Sequence, residues 1–295
     1  MNDKSDKGRN EQTLELVDFN ENPKAFKKFL LYLIDQGTDA WNAWRDKNEN
    51  VSLDLSFVTF QHSTSFKEFR FGHDVSFRGA TFSDRVDFSK STFGYHTDFS
   101  KTTFGNGVDF SEATFDGGAD FLDSTFGNHI DFREAIFELG AKFDRASLGN
   151  HIYFNGTSFG GDSSFSGANF GDDIHFDGAI FRDNIYFNGA VFRNNIFFAG
   201  ASFGQNTEFE GVLFGKQVYF TDVKSGSSIK FNETTFGNLT RFNSAAFGND
   251  IQFNKATFGN DIQFNKATFG NDIQFNKATF GNDIWFNEAT FGNDI

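Results

Sequence analysis

The sequence contains no cysteine, a single proline and no long hydrophobic run. Without cysteine there are no disulfide bonds and no thiolate metal sites, which is easiest to reconcile with a reducing compartment. The N-terminus is polar and of mixed charge, without the apolar segment of a signal peptide. The longest apolar run, residues 29–34, is far too short to span a bilayer. We therefore predict a cytoplasmic protein with no membrane association.

Positive charge is scarce relative to negative charge, and the formal net charge is −14. This balance argues against a partner bound mainly through its phosphates, so we predict no direct contact with nucleic acid. It permits a basic protein partner without requiring one.

Phenylalanine is abundant, with 47 residues, and its spacing predicts the fold. One series recurs every eleven residues from Phe60 to Phe291, and a second, offset by five or six, runs from Leu55 to Phe286. Phe occupies every position of both series except Leu55, Leu148 and Ser225. An unbroken internal repeat of this kind is typical of a solenoid.

Each Phe ends a three-residue apolar–polar–apolar pattern, which predicts a very short strand with one buried face. Turns of two or three residues rich in Gly, Asn and Asp follow, and these residues tolerate positive φ at corners. A helix is excluded, because apolar positions at these spacings cannot share one helical face. The pattern therefore predicts an all-β solenoid over residues 51–295.

The triplets Ala256-Thr257-Phe258 and Ile262-Gln263-Phe264 resemble the strands of pentapeptide-repeat proteins, in a Phe-rich variant with one extra corner residue per pair of faces. Residues 37–45, with the sequence GTDAWNAWR, are similar to the lead-in that often precedes such repeats. The resemblance covers residues 37–295. It implies a right-handed quadrilateral β-helix with four faces and two eleven-residue units, or about 22 residues, per coil. Periodicity alone allows any whole number of eleven-residue units per turn.

The first 50 residues do not carry the repeat. Residues 23–36 place apolar side chains on one helical stripe, and Gly37 ends that helix. Asp39 can cap a second short helix that carries Trp41 and Trp44. We predict that residues 23–50 form a helical cap over the exposed first coil, rather than a ligand platform of tryptophans. Residues 1–22 are expected to be a disordered tail.

No catalytic or metal site is expected. A straight solenoid offers no cleft, so we predict a protein that is not an enzyme and needs no cofactor. His129 and His151, two repeat units apart, should stack at one corner, but that column contains no suitable third metal ligand. The Gly-Asn-Asp corners resemble a calcium-binding nonapeptide β-roll, yet their spacing is eleven and the paired glycines are missing.

Two outward columns are candidate partner surfaces. Asp87, Asp109 and Asp131 should stack on one face, with Asp98 and Asp120 on the opposite face. Their mutual repulsion costs stability unless neighbouring residues screen it. A second column contains the aromatic residues Tyr153, His175, Phe197 and Tyr219 and continues to Arg241, Gln263 and Trp285. It forms either a protein-contact ridge, with Tyr153, Phe197 and Tyr219 substantially exposed, or cross-strand packing that stabilises the sheet.

These observations predict a non-enzymatic scaffold or protein-interaction rod whose partner is unknown. The family resemblance implies an alternative. Some pentapeptide-repeat proteins are acidic rods that imitate duplex DNA and inhibit or protect a type II topoisomerase, gyrase. Those relatives favour Leu where this chain has Phe, and carry a C-terminal dimerisation helix that this sequence does not show.

Two irregular places complete the prediction. Residues 247–279 are three identical eleven-residue copies, and the sequence stops within a repeat at Ile295. We expect either a fragment of a longer chain or end-to-end association. Ser225 is the one polar residue in the two series. It leaves a cavity, holds a water or lies in a local distortion of the backbone that turns it outward, and of these we expect the distortion.

Overall fold

The computed structural model describes residues 22–61 and 64–293. Two helices, α1 (Pro23–Gln36) and α2 (Thr38–Arg45), precede a parallel β-solenoid. Each strand pairs with the strand two eleven-residue units further along the chain, as Leu53 does with Val75. Every coil has four sides, so the predicted quadrilateral β-helix is confirmed. Apart from residue 22, the predicted tail lies outside the described residues.

The strands form four faces, numbered in chain order. The strands of face 1 are Leu53–Asp54, Val75–Ser76, Thr97–Asp98, Ala119–Asp120, Ala141–Lys142, Ile185–Tyr186, Thr207–Glu208, Ile229–Lys230, Ile251–Gln252 and Ile273–Gln274. Those of face 2 are Thr59–Phe60, Thr81–Phe82, Thr103–Phe104, Thr125–Phe126, Ser147–Leu148, Leu213–Phe214, Thr235–Phe236, Thr257–Phe258 and Thr279–Phe280. Those of face 3 are Ile130–Asp131, Ile152–Tyr153, Val218–Tyr219, Thr240–Arg241, Ile262–Gln263 and Ile284–Trp285. Those of face 4 are Arg70–Gly72, Thr92–Phe93, Thr114–Phe115, Ile136–Phe137, Ser158–Phe159, Ile180–Phe181, Ser202–Phe203, Lys224–Ser225, Ala246–Phe247, Thr268–Phe269 and Thr290–Phe291. Two longer strands, Asn169–His175 and Val191–Phe197, continue from face 2 into face 3.

The core consists of phenylalanine rings packed in columns. Along a column the rings stack almost parallel, as Phe66 does on Phe88, with ring centroids 4.6 Å apart and 6° between the planes. Between columns they meet edge to face, as Phe66 and Phe77 do at 74°. Both geometries suit the aromatic quadrupole and add stability beyond the burial of the rings. Phe121, Phe187 and Phe253 are fully buried, which confirms the register predicted for them.

The corner sequences hold neighbouring coils together. The side-chain Oδ1 of Asn128 accepts a hydrogen bond from the backbone N–H of Asn150, 2.8 Å away in the next coil. Such ladders recur along the corner and satisfy backbone groups that turn away from the strands. Gly127 precedes Asn128, and a Cβ there would lie 2.7 Å from the backbone oxygen of Gly105. Glycine at position 127 therefore allows the coils to approach closely.

The two helices lie against the first coils, where the edge of the solenoid would otherwise be open. Trp41 is fully buried and stacks on Phe69, with ring centroids 5.2 Å apart. Its Nε1 donates to the backbone oxygen of Arg70 at 3.0 Å, and Asn42 also bonds to the backbone of this strand. Trp41 thus packs against the first phenylalanine rings of the core, and the role of the helices as a cap stays a prediction. The expected cap by Asp39 is wrong, because α2 starts at Thr38 and has no side-chain cap.

The coil at Ser225 keeps its register. Ser225 pairs with Phe203, and the Ser225 hydroxyl donates to the Gly226 oxygen and accepts from the Gly248 N–H. The expected distortion of the strand is therefore wrong: hydrogen bonds to the backbone satisfy the hydroxyl at a half-buried position. Phe203 stacks on Phe181 alone within its column, so one ring is missing from the core at this coil.

Candidate interaction surface

The acidic and aromatic residues predicted to form separate columns lie in a single column on face 3. We call it the face 3 stripe: in successive coils it consists of Asp87, Asp109, Asp131, Tyr153, His175, Phe197, Tyr219, Arg241, Gln263 and Trp285. Asp131 pairs directly with Tyr153. The interpretation as two columns was wrong, although the step of two repeat units between Asp131 and Tyr153 is readable in the sequence. The predicted position of Asp98 and Asp120 on the opposite face, face 1, is confirmed.

The middle of the stripe is a ladder of four stacked rings. The centroid distances are 5.4 Å from Tyr153 to His175, 4.5 Å from His175 to Phe197 and 4.9 Å from Phe197 to Tyr219. A guanidinium closes each end of the ladder. Arg133 lies 5.9 Å from the Tyr153 ring centroid, and Arg241 lies 5.4 Å from that of Tyr219. Cations over ring faces are attracted by the aromatic quadrupole.

The four rings are half-buried. Tyr153, Phe197 and Tyr219 lie side by side as predicted, but the prediction of substantial exposure was wrong. The rings of adjacent coils cover one another's faces, so the ladder meets solvent with its ring edges. The ring edge carries the positive part of the quadrupole, so it suits the edge-to-face contacts that aromatic pairs favour.

The aspartates of the stripe stabilise the turns that follow their strands. Oδ1 of Asp87 accepts a hydrogen bond from the N–H of Ser89 at 2.8 Å, and Asp109 does the same for Ser111 at 2.7 Å. These bonds fix the two-residue turn after each strand. Hydrogen bonds to a carboxylate are stronger than neutral ones, so they offset part of the repulsion along the column.

Asp131 is the acidic residue next to the ladder, and it forms an ion pair with Arg133. Arg133 donates from Nε to both carboxylate oxygens, at 3.0 and 2.9 Å. These hydrogen bonds, and then the charge of Asp131, raise the pKa of Arg133 above its ordinary value. The pair places a fixed guanidinium between the acidic and the aromatic part of the stripe.

On face 1 the uninterrupted run of acids is shorter, with Asp98 and Asp120 alone, and its electrostatics differ. Burial, and then the charges of Asp98 and Asp144, raise the pKa of Asp120, although the Leu122 N–H donates to its carboxylate and opposes this shift. In the same coil, hydrogen bonds from Arg145 lower the pKa of Asp123. Lys142 follows Asp120 in the outward column, so the run of acids ends there.

The histidines that the structure describes do not assemble a metal site. The rings of His129 and His151 stack as predicted, with centroids 4.7 Å apart, and His151 Nδ1 lies 3.4 Å from the Asp173 carboxylate. Near α2, Nδ1 of His73 accepts the backbone N–H of Tyr95 at 2.9 Å. Within residues 22–61 and 64–293, no three His, Cys, Asp or Glu side chains are grouped so that they could hold a metal ion.

The corner beside the ladder has two positions. The first carries Asn155, Asp177 and Ala199, of which Asp177 pairs with His175, and the second is bare in three of the four coils. Gly156, Gly178 and Gly200 occupy it in the coils of Tyr153, His175 and Phe197, with φ between 65° and 67°. A Cβ at Gly178 or Gly200 would meet nothing within 4 Å. The equivalent residue one coil earlier, Glu134, has φ 59°, so this backbone also accepts larger residues. The bare corner thus leaves one side of the ladder open to an approaching molecule.

Comparison with known proteins finds a matching family model and similar solved structures. The family model described as pentapeptide repeats (9 copies) matches residues 66–114, 99–147, 176–224 and 253–294, more than half of the chain. The structure of HetL, a pentapeptide repeat protein involved in heterocyst differentiation regulation in the cyanobacterium Nostoc sp. strain PCC 7120, is 15% identical, with 84% of this chain and 92% of HetL covered and a TM-score of 0.34. QnrB1, a plasmid-mediated fluoroquinolone resistance protein, is 16% identical, with 79% of this chain and 90% of QnrB1 covered and a TM-score of 0.20. No curated protein matches the chain. On the family match, this chain belongs to the pentapeptide-repeat family.

Proposed function

We propose that this protein is a non-enzymatic interaction rod that binds a protein partner along the face 3 stripe. The observation that carries the proposal is the ladder of stacked rings from Tyr153 to Tyr219, closed by Arg133 and Arg241. Tyr, Phe and Arg are enriched at the centres of protein interfaces, where charged residues are otherwise few. The bare corner at Gly156, Gly178 and Gly200 supports it further.

The family and the geometry favour an interaction role. Pentapeptide-repeat proteins are generally structural or interaction proteins rather than enzymes. In the part of the chain that the structure describes, no helix is long and apolar enough to cross a membrane. A regular solenoid presents long flat faces, and such faces are the extended binding surfaces that repeat proteins use. We place the interaction in the cytoplasm, following the absence of cysteine.

The length of the acidic run speaks against the alternative of a DNA-mimicking gyrase inhibitor. Asp87, Asp109 and Asp131 span only two strand spacings, about 10 Å, before Tyr153 interrupts them. Their charges lie about 4.8 Å apart, whereas each strand of duplex DNA carries one charge per roughly 3.4 Å of its axis. On face 1 the run is shorter still.

The proposal is tested by affinity capture from native cytoplasm with matched variants. The double variant Phe197→Ser/Tyr219→Ser removes half of the ladder, and Tyr186→Ser removes a half-buried outward aromatic residue from face 1. We expect a captured protein to be lost with the double variant and retained with Tyr186→Ser. Equal capture by both folded variants would contradict the proposal, and inhibition of purified gyrase would favour the alternative.

A further inference from the structure

We infer that the face 3 stripe is self-complementary and that its partner is a second copy of this chain, docked in antiparallel orientation. The inference rests on the proposed function, because it names the occupant of the same surface. A two-fold interface presents the same patch from both subunits, so residues at equal distances from the axis must suit each other.

The ladder has the symmetry that such an interface needs. Its outer rings are both tyrosines, its inner rings are His175 and Phe197, and a guanidinium closes each end. We place a two-fold axis in the interface, perpendicular to the rod and midway between the coils of His175 and Phe197. Tyr153 of one copy then lies opposite Tyr219 of the other, and His175 lies opposite Phe197. Aromatic residues thus meet aromatic residues along the whole ladder.

The charges that flank the ladder select this orientation and register. Asp131 already pairs with Arg133 of its own chain. The same axis places Asp131 of each copy opposite Arg241 of the other, so each carboxylate bridges two guanidiniums and the dimer gains two ion pairs between copies. A parallel arrangement would instead place Asp131 against Asp131 and Arg241 against Arg241, and such like-charge contacts are strongly unfavourable in an interface. Moving the axis by half a coil spacing, onto His175, would place Asp131 opposite Tyr219 and lose both ion pairs.

The corner beside the ladder allows the two faces to approach. Gly178 and Gly200 lie opposite each other across the axis, and neither has a side chain to hold the copies apart. Facing sheets pack about 10 Å apart. Long side chains at this corner, such as the one that Glu134 carries two coils before Gly178, would project toward the partner.

The test measures the mass of the full chain over a range of concentrations by sedimentation velocity. We expect a monomer–dimer equilibrium whose dissociation constant rises on the order of 100-fold in Arg241→Asp, because two like-charge contacts replace two ion pairs. Asp131→Arg should weaken the dimer similarly. An equimolar mixture of the two single variants should restore a dimer, because each mixed interface contains one Asp131–Arg241 pair and one reversed pair.

Two further variants serve as controls. Lys142→Asp makes the same kind of charge change on face 1 and should leave the dimer intact. Gly200→Lys should weaken it without touching the ladder, and circular dichroism checks that each variant folds. A wild-type chain that stays monomeric at every concentration, or a mixture that does not associate, would overturn the inference. If that chain still captures a different protein through the ladder, the proposed function stands and only this inference fails.

Discussion

The acidic and aromatic parts of the face 3 stripe share one register but have different outward side chains. Asp109 and Phe197 occupy equivalent positions, and the residues next to them, Phe110 and Phe198, are both fully buried. Phe110 stacks at 4.7 and 4.9 Å in its column, and Phe198 at 5.0 and 4.8 Å. The core therefore supports either type of surface equally well. The difference between the two parts lies in what the outward residue contributes, to stability and to binding.

The largest expected effect tests whether the core beneath the acidic part of the stripe is as well packed as the core beneath the aromatic part. Phe110→Ala and Phe198→Ala should each lower the free energy of unfolding by about 3–5 kcal/mol, because each leaves a cavity between two stacked rings. Urea unfolding followed by circular dichroism measures both losses. A clearly smaller loss at one site would show that the core differs beneath the two parts of the stripe.

The second prediction concerns the coil in which the core is incomplete. Ser225→Phe should raise the free energy of unfolding by about 1.5–3 kcal/mol, because it buries a ring between Phe203 and Phe247. Ser225→Ala is the control, since it removes the hydroxyl bonds without adding a ring. If the Phe variant gains no stability in urea, the neighbouring side chains have already closed the space.

The third prediction separates the outward residues. Phe197→Ala removes two ring stacks and should cost about 1 kcal/mol. Asp109→Ala loses the turn bond to Ser111 but relieves repulsion from Asp87 and Asp131, so its net change should stay within about 0.5 kcal/mol. Thermal and urea unfolding at pH 7 compare the two. An equal loss in both would mean that the ladder stabilises the fold no more than the acids do.

The smallest expected effect is a pH dependence on face 1. The pKa of Asp120 is raised in the folded protein, so the folded state binds more protons than the unfolded state and stability falls as the pH rises through this range. Asp120→Asn should therefore stabilise the protein at pH 7, and this gain should disappear below the ordinary pKa of aspartate. Urea unfolding midpoints between pH 3 and pH 7 provide the measurement.

Asp123 is the matched control in the same coil. Its pKa is lowered by Arg145, so its contribution is present at neutral pH and is lost as the pH falls. Asp123→Asn should therefore show no gain at pH 7. A gain of equal size in both variants would point to a general effect of net charge rather than to the burial of Asp120.

The sequence alone determined which residues are inside and where the chain turns. Alternation of apolar and polar residues defined the strands, and Gly, Asn and Asp marked the corners, because both are local consequences of backbone geometry. The burial of Phe121, Phe187 and Phe253 followed from this pattern. The glycine at position 178 is also visible in the sequence. Its position beside the aromatic ladder becomes clear only when the residues of adjacent coils are known.

Only the tertiary structure decided which residues are neighbours across coils. An eleven-residue period is compatible with any whole number of units per coil. The pairing of Asp131 with Tyr153, 22 residues apart, shows that each coil contains two units. The tertiary structure also determined how much of the ladder is exposed to solvent, because the face of each ring is covered by the ring of the adjacent coil. At Ser225 the long-range pairing with Phe203 outweighed the local freedom of Gly226. Contacts between coils join residues far apart in the chain, so local preferences alone do not determine them.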